Sequence, residues 1–150
     1  SPGRGWAGVG ARPGGVGEST SVSKPLLIAV FLTATTVANA ECLPADPAVV
    51  HVNGVLKRIT FAGRPNYEDI SKGDEPETYF VLFLNNPICL ADTDQTSASE
   101  LQLFLRPEQY DQFRPKLNHA IALSGSLWHA ETGHHHTPLM FTPTGTVNAH

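Results

Sequence analysis

The chain has 150 residues, 41% of them hydrophobic and 16% charged, with a formal net charge of −4. That length and apolar content fit one globular core and exclude both a disordered tail and a two-domain chain. Lys and Arg number 10 against 14 Asp and Glu and form no cluster, so the chain lacks the basic footprint of nucleic-acid binding.

Residues 1–23, "SPGRGWAGVGARPGGVGESTSVS", are rich in Gly and Ser and have no apolar period. They read as a disordered leader or as translation upstream of the natural start. Lys24 and Pro25 then introduce the apolar run Leu26 to Val37, which ends in Ala38-Asn39-Ala40. A charged start, a short apolar stretch and small residues at an A-x-A site describe a secretory signal at 24–40, cleaved after Ala40. The run is too short for a stable membrane span, which takes about 20 residues. The expected location is periplasmic or secreted, with residues 41–150 as one domain. In that part seven bases face thirteen acids, a balance of −6.

Cys42 and Cys89 both lie in the exported part, and an even pair in an oxidising compartment is expected to bond. Such a bridge closes a long loop, for which chain entropy gives roughly 4 kcal/mol of stabilisation. A redox role lacks support, because there is no C-x-x-C pair.

Periodicity then predicts the elements. Over 49–61, "VVHVNGVLKRITF", Val50 and Val52 share one face, and past Gly54 the apolar phase passes to Val55, Ile59 and Phe61. A one-residue slip at a glycine predicts a β-bulge in a long, bent strand. Residues 62–77 read as a long loop. "TYFVLFL" (78–84) is a strand covered on both faces and ended by Asn85-Asn86-Pro87. Leu101, Leu103 and Leu105 alternate in a third strand. Pro107 opens a short helix carrying Tyr110, Phe113 and Leu117, which Pro115 cuts off. Residues 119–130 form a fourth strand, with Gly125 a bulge or a point of close contact. Residues 137–143 form the fifth.

A mainly β fold follows: a five-stranded OB-like barrel with one short helix between strands 3 and 4. A β-sandwich with a helical crossover is the alternative.

The stretches "FAGRPNYEDISKGD", "ETYFVLFLNNPICL", "LRPEQYDQF" and "LSGSLWHAETGHHHTPLMFT" resemble the bacterial domain of unknown function of family 4431, a small exported module. The resemblance runs from about Val49 to Thr142, and its most specific parts are Pro87-Ile88-Cys89 and the block from Thr132 to Pro138. It implies export and a single domain, and it brings no activity with it.

Two binding chemistries are legible. Four of the seven histidines lie between His129 and His136. In an extended hairpin His134 and His136 share a face, with His135 on the other. Joined by His129 and by Glu131 as an oxygen donor, they are candidate ligands for zinc or copper. The alternatives are a purely structural polar loop and a pH-sensing patch, since imidazole titrates near 6.5. The second chemistry is aromatic: Tyr67, Arg64 and Asn66 in the long loop, with Trp128, Tyr79 and Phe104 on strands and His135 nearby, suit a cell-wall sugar, a peptide or a protein partner. Phe80, Phe83 and Phe113 are expected in the core. Catalysis lacks a motif: "LSGSL" is not a nucleophile elbow, and no spacing sets Asp74, Glu75 and Glu77 as paired acids.

Overall fold

The computed structural model describes residues 3, 5, 8, 10–17, 19, 21–24 and 40–144. The chain divides into two units, Ser1–Thr35 and Thr36–His150. The described residues of the first carry neither helix nor strand. Nearly all of the expected signal peptide, 25–39, falls outside the described residues. No helix among those described is long and apolar enough to cross a membrane.

The second unit holds β1 (Glu41–Leu43), β2 (Val50–Ala62), β3 (Pro76–Leu90), β4 (Ser97–Leu103), α1 (Pro107–Phe113), β5 (Ala120–His129) and β6 (Leu139–Pro143). One sheet runs β1-β3-β2-β5-β6-β4, and β3 also pairs with β4, so five strands close into a barrel. β4 and β6 are parallel, while β2–β3, β2–β5, β3–β4 and β5–β6 are antiparallel. This is the Greek-key closure of an OB-like barrel. β1 is an addition, laid parallel along the end of β3. The helix therefore follows the fourth strand and precedes the fifth, one place later than expected, because β1 was not foreseen.

β2 is the strand on which closure turns. Its first half pairs with β5 and its second with β3, and Gly54 and Val55 pair with both. The expected bulge at Gly54 is absent: both registers run through it unbroken, and burial stays on even positions to Leu56, which is fully buried. The slip comes later, at the consecutive exposed pair Lys57 and Arg58. Gly54 instead permits a close approach, since a Cβ there would run into the Phe83 carbonyl.

β3 also departs from expectation. Asn85-Asn86-Pro87 does not end it; the strand continues to Leu90, with a register irregularity against β4 between Phe83 and Ile88. Past that break it meets β1, and Cys42 bonds to Cys89 directly across the parallel pair. The expected disulfide is thus present.

The interior is filled by Leu56, Leu82, Leu101, Leu103, Leu127 and Phe141, with Phe113 of α1 closing one end. Truncating any one of these to Ala costs about 2–5 kcal/mol in typical cores. Tyr110 and Leu117 pack against this cluster beside Phe113, as their spacing predicts. Phe80 is buried. Phe83 is not: it sits half-exposed on the outer face, under the Lys57 ammonium at 4.6 Å from the ring centroid.

Candidate functional site

Counting only the five barrel strands, ligands of OB-like barrels sit on the face of strands 2 and 3, between the loop joining strands 1 and 2 and the loop joining strands 4 and 5. Here those loops are 63–75 and 130–138, and they touch each other.

Loop 63–75 is organised around Asp74. Its carboxylate accepts hydrogen bonds from the Asn66, Glu68 and Asp69 backbone N–H groups at 2.9, 2.8 and 2.9 Å, and from Asn66 Nδ2 at 3.2 Å. The Asp69 and Glu68 N–H groups, then Asn66, hold its acidity below the ordinary carboxylate value. Asp74 is therefore a loop keystone and not a free acid. The wrapped loop presents Tyr67 from a left-handed backbone, φ 60. Arg64 is exposed and makes no ion pair among the described residues.

Loop 130–138 carries the histidines, and their backbone is clamped from β4. The buried Gln102 donates through Nε2 to the His134 carbonyl at 2.9 Å and accepts from the His136 N–H at 2.7 Å. Gln102 N–H also donates to Thr137 Oγ1, which donates on to the Leu139 carbonyl. The loop's shape is thus set by hydrogen bonds to Gln102 of β4.

The imidazoles diverge into three environments. His134 Nδ1 lies 2.7 Å from one oxygen of Glu77, and His136 Nε2 lies 3.0 Å from the other. Tyr67 OH reaches His134 Nε2 at 3.2 Å, and His136 stacks on Phe61 with ring centroids 4.3 Å apart. Glu77 is mostly covered. Burial alone pushes its pKa up, but hydrogen bonds from His136 and His134 outweigh that and hold it below the ordinary value. Tyr79 OH donates to the same carboxylate, and burial followed by the Glu77 charge pushes Tyr79 up to about 12.

His135 points elsewhere. Its Nδ1 accepts from the backbone N–H groups of Glu131 and Thr132 at 2.9 and 3.3 Å. An acceptor nitrogen carries no proton, so the neutral ring bears its hydrogen on Nε2. Burial, the larger effect, then His134 and His136 lower its pKa against the opposing pull of Glu131. The ring meets Trp128 edge to face at 5.1 Å, and Trp128 meets Phe104 likewise at 5.6 Å. Trp128 Nε1 donates to Thr142 Oγ1 at 2.9 Å, so its polar atom is satisfied and its ring remains as a wall.

The expected metal set is thus not assembled. His129 is bound to Asp92, Glu131 is exposed, and only His134 and His136 share a partner. Among the described residues no group of three or more His, Cys, Asp and Glu is placed to hold an ion. His134 and His136 do share Glu77 while His135 turns to Trp128. The cause is not an extended segment: His134 lies in a turn closed by the His135 N–H on the Thr132 carbonyl at 3.0 Å.

The aromatic set comes closer to convergence. A hollow of about 110 Å³ is walled by His134, His135, Tyr79, Tyr110 and Phe104 above Leu103. Tyr67 abuts its His134 side and Trp128 its His135 side, each half-buried. Phe104, 53% exposed, also borders a larger groove of about 550 Å³ with Arg106, Gln109, Gln112 and Thr142. Glu77 and Gln102 hold the site together, although the sequence offers Glu77 only among the loop acids and marks Gln102 with no role. Their only sequence signal is a polar residue at or beside a strand end, which does not name its partner.

Residues 100–142 match the family described as Domain of unknown function (DUF4431). The matched segment carries β4 beyond its first residues, α1, β5, the histidine loop and most of β6. The recognised resemblance therefore stands over that segment, and residues 49–99 lie outside the match. No curated protein and no solved structure matches the chain.

Proposed function

We propose that the protein is an exported binding module that holds a cell-wall sugar on the aromatic face between loops 63–75 and 130–138. The observation that carries this reading is Phe104. This large apolar ring, 53% exposed at the rim of two adjoining hollows and braced edge-on by Trp128, joins Tyr79, Tyr110 and His135 in one aromatic-walled concavity of the kind that takes small ligands. Sugar rings present apolar C–H faces that stack on such rings, and loops at this end of OB-like barrels commonly take oligosaccharides.

Export rests on the secretory pattern of residues 24–40, and the Cys42–Cys89 bridge is compatible with an oxidising compartment. The histidines act as struts: Glu77 draws His134 and His136 onto β3, and Gln102 fixes their backbone. Zinc or copper binding is the weaker reading, since a metal would have to pull both imidazoles from Glu77 and His129 from Asp92.

Calorimetric titration of the purified chain with soluble peptidoglycan fragments tests the proposal. Binding is expected, with affinity falling at least about tenfold, or 1.4 kcal/mol, in Phe104→Ala and in Trp128→Ala. No binding to any fragment, or equal binding by both variants, overturns it. Zinc bound at one equivalent and lost in His134→Ala would instead favour the metal.

A further inference from the structure

The polar groups around the smaller hollow can be sorted by what already occupies them. Gln102 spends both ends of its amide on the backbone of His134 and His136. His134 uses Nδ1 on Glu77 and Nε2 on Tyr67, and Tyr79 OH is bound to Glu77. His135 Nδ1 is taken by two backbone N–H groups. Two wall groups are left without a protein partner among the described residues: His135 Nε2, which carries the ring's hydrogen, and the Tyr110 hydroxyl. Burial raises the Tyr110 pKa, which keeps the phenol protonated and able both to donate and to accept. No buried side-chain polar atom among the described residues lacks a partner, so these two groups reach solvent and are open to a ligand.

The remaining surface is apolar. Leu103 is buried beneath the hollow, and Leu105 and Phe104 line it. Its volume, about 110 Å³, is ample for a group of acetamido size, since one water-sized unit needs only about 10–15 Å³ of such space.

We infer that this hollow receives the acetamido group of an N-acetylated sugar. An acetamido group has four non-hydrogen atoms: a carbonyl oxygen that accepts, an N–H that donates, and a methyl that needs an apolar seat. His135 Nε2–H supplies the donor for the carbonyl. Tyr110 OH accepts from the N–H, and the leucine and Phe104 surface takes the methyl. A bare hydroxyl at the same sugar position fills neither the volume nor both polar groups, and leaving a desolvated donor unpaired is penalised more than a good bond is rewarded. The ring bearing the group stacks over Phe104. This inference rests on the sugar-binding reading above and narrows it to N-acetylated sugars.

The test uses the full chain and three probes: a β-1,4-linked N-acetylglucosamine oligomer, a β-1,4-linked glucose oligomer of equal length, and N-acetyl-lysine. Isothermal titration is expected to show the N-acetylated oligomer bound at least about tenfold tighter than the glucose oligomer. Tyr110→Phe, which removes one oxygen and keeps the ring, is expected to erase most of that difference. Saturation-transfer NMR is expected to be strongest on the acetyl methyl. Equal affinity for the two oligomers overturns the inference and leaves sugar binding standing. N-acetyl-lysine bound as tightly as the N-acetylated oligomer overturns it in favour of a modified peptide. Binding of no probe, with peptidoglycan fragments also silent, overturns both.

Discussion

Gly133 lies against the ring of Tyr67: a Cβ on the glycine would stand 2.8 Å from Tyr67 Cε2. Nothing larger than hydrogen fits there without moving the ring. Tyr67 OH reaches the neighbouring His134, so this contact is where the two loops join.

Gly133→Ala is therefore expected to push Tyr67 off His134 and part the loops. The predicted cost is about 1 kcal/mol of stability from overpacking, with weaker glycan binding at the hollow that His134 lines. Chemical denaturation and titration of the variant check both. An unchanged midpoint together with unchanged affinity would show the loops to be independent.

Glu77 carries a pH dependence of definite sign. Its folded pKa lies below the ordinary 4.5 because of the two histidines, so the folded state binds fewer protons than the unfolded one in that range. The stability it contributes is complete above 4.5 and is lost as pH falls below that value, through the depressed folded pKa. Glu77→Gln should cost about 2 kcal/mol at neutral pH, the scale of a charge-assisted hydrogen bond, and should flatten the stability curve below pH 4.5. A variant with the wild-type acid slope would contradict the bridging role.

His135 acts in a higher window. Its Nδ1 must stay unprotonated to accept two backbone N–H bonds, and its pKa is lowered from 6.5. Its contribution is present above 6.5 and declines as pH drops below that value toward the lowered folded pKa. His135→Phe keeps a ring beside Trp128 and removes the titration. Stability measured from pH 7 downward should fall less steeply in the variant, while N-acetyl selectivity is lost already at pH 7.5.

Much of the fold was readable in the chain because its signals are local. Alternation marks β5, Pro107 and Pro115 bracket the helix, and two cysteines downstream of an expected secretory signal imply their bond. What escaped was long-range. Leu56 is buried and Val55 only partly so, because the inward phase set by Val50 and Val52 runs unbroken through Gly54 while β2 changes partners there, and the apolar side chains of Val55, Ile59 and Phe61 mimic a slip at the glycine. Asn85-Asn86-Pro87 has the composition of a strand end, yet β1 and β4 give the backbone beyond it new partners. The histidines were legible as a cluster but not by destination. Glu77 lies 57 and 59 residues from them, and Asp92 lies 37 from His129.

The disulfide closes a loop with a sequence separation of 47 residues, which corresponds to about 4 kcal/mol of stabilisation in the chain-entropy account. Replacing both Cys42 and Cys89 by Ser should lower the unfolding free energy by a comparable amount and free β1 from β3. Urea titration of the double variant checks the first. Loss of amide protection at Cys42 and Leu43, with the barrel strands still protected, checks the second.

The proposed sugar-binding face is tested most directly by mapping amide and indole resonances of the full chain during titration with an N-acetylglucosamine oligomer. The account predicts shifts concentrated at Phe104, the Trp128 indole, Tyr110 and His135, with the Asp92–His129 pair and the β1 edge silent. Shifts spread evenly over the surface, or confined to residues outside loops 63–75 and 130–138 and the Phe104 rim, would contradict it.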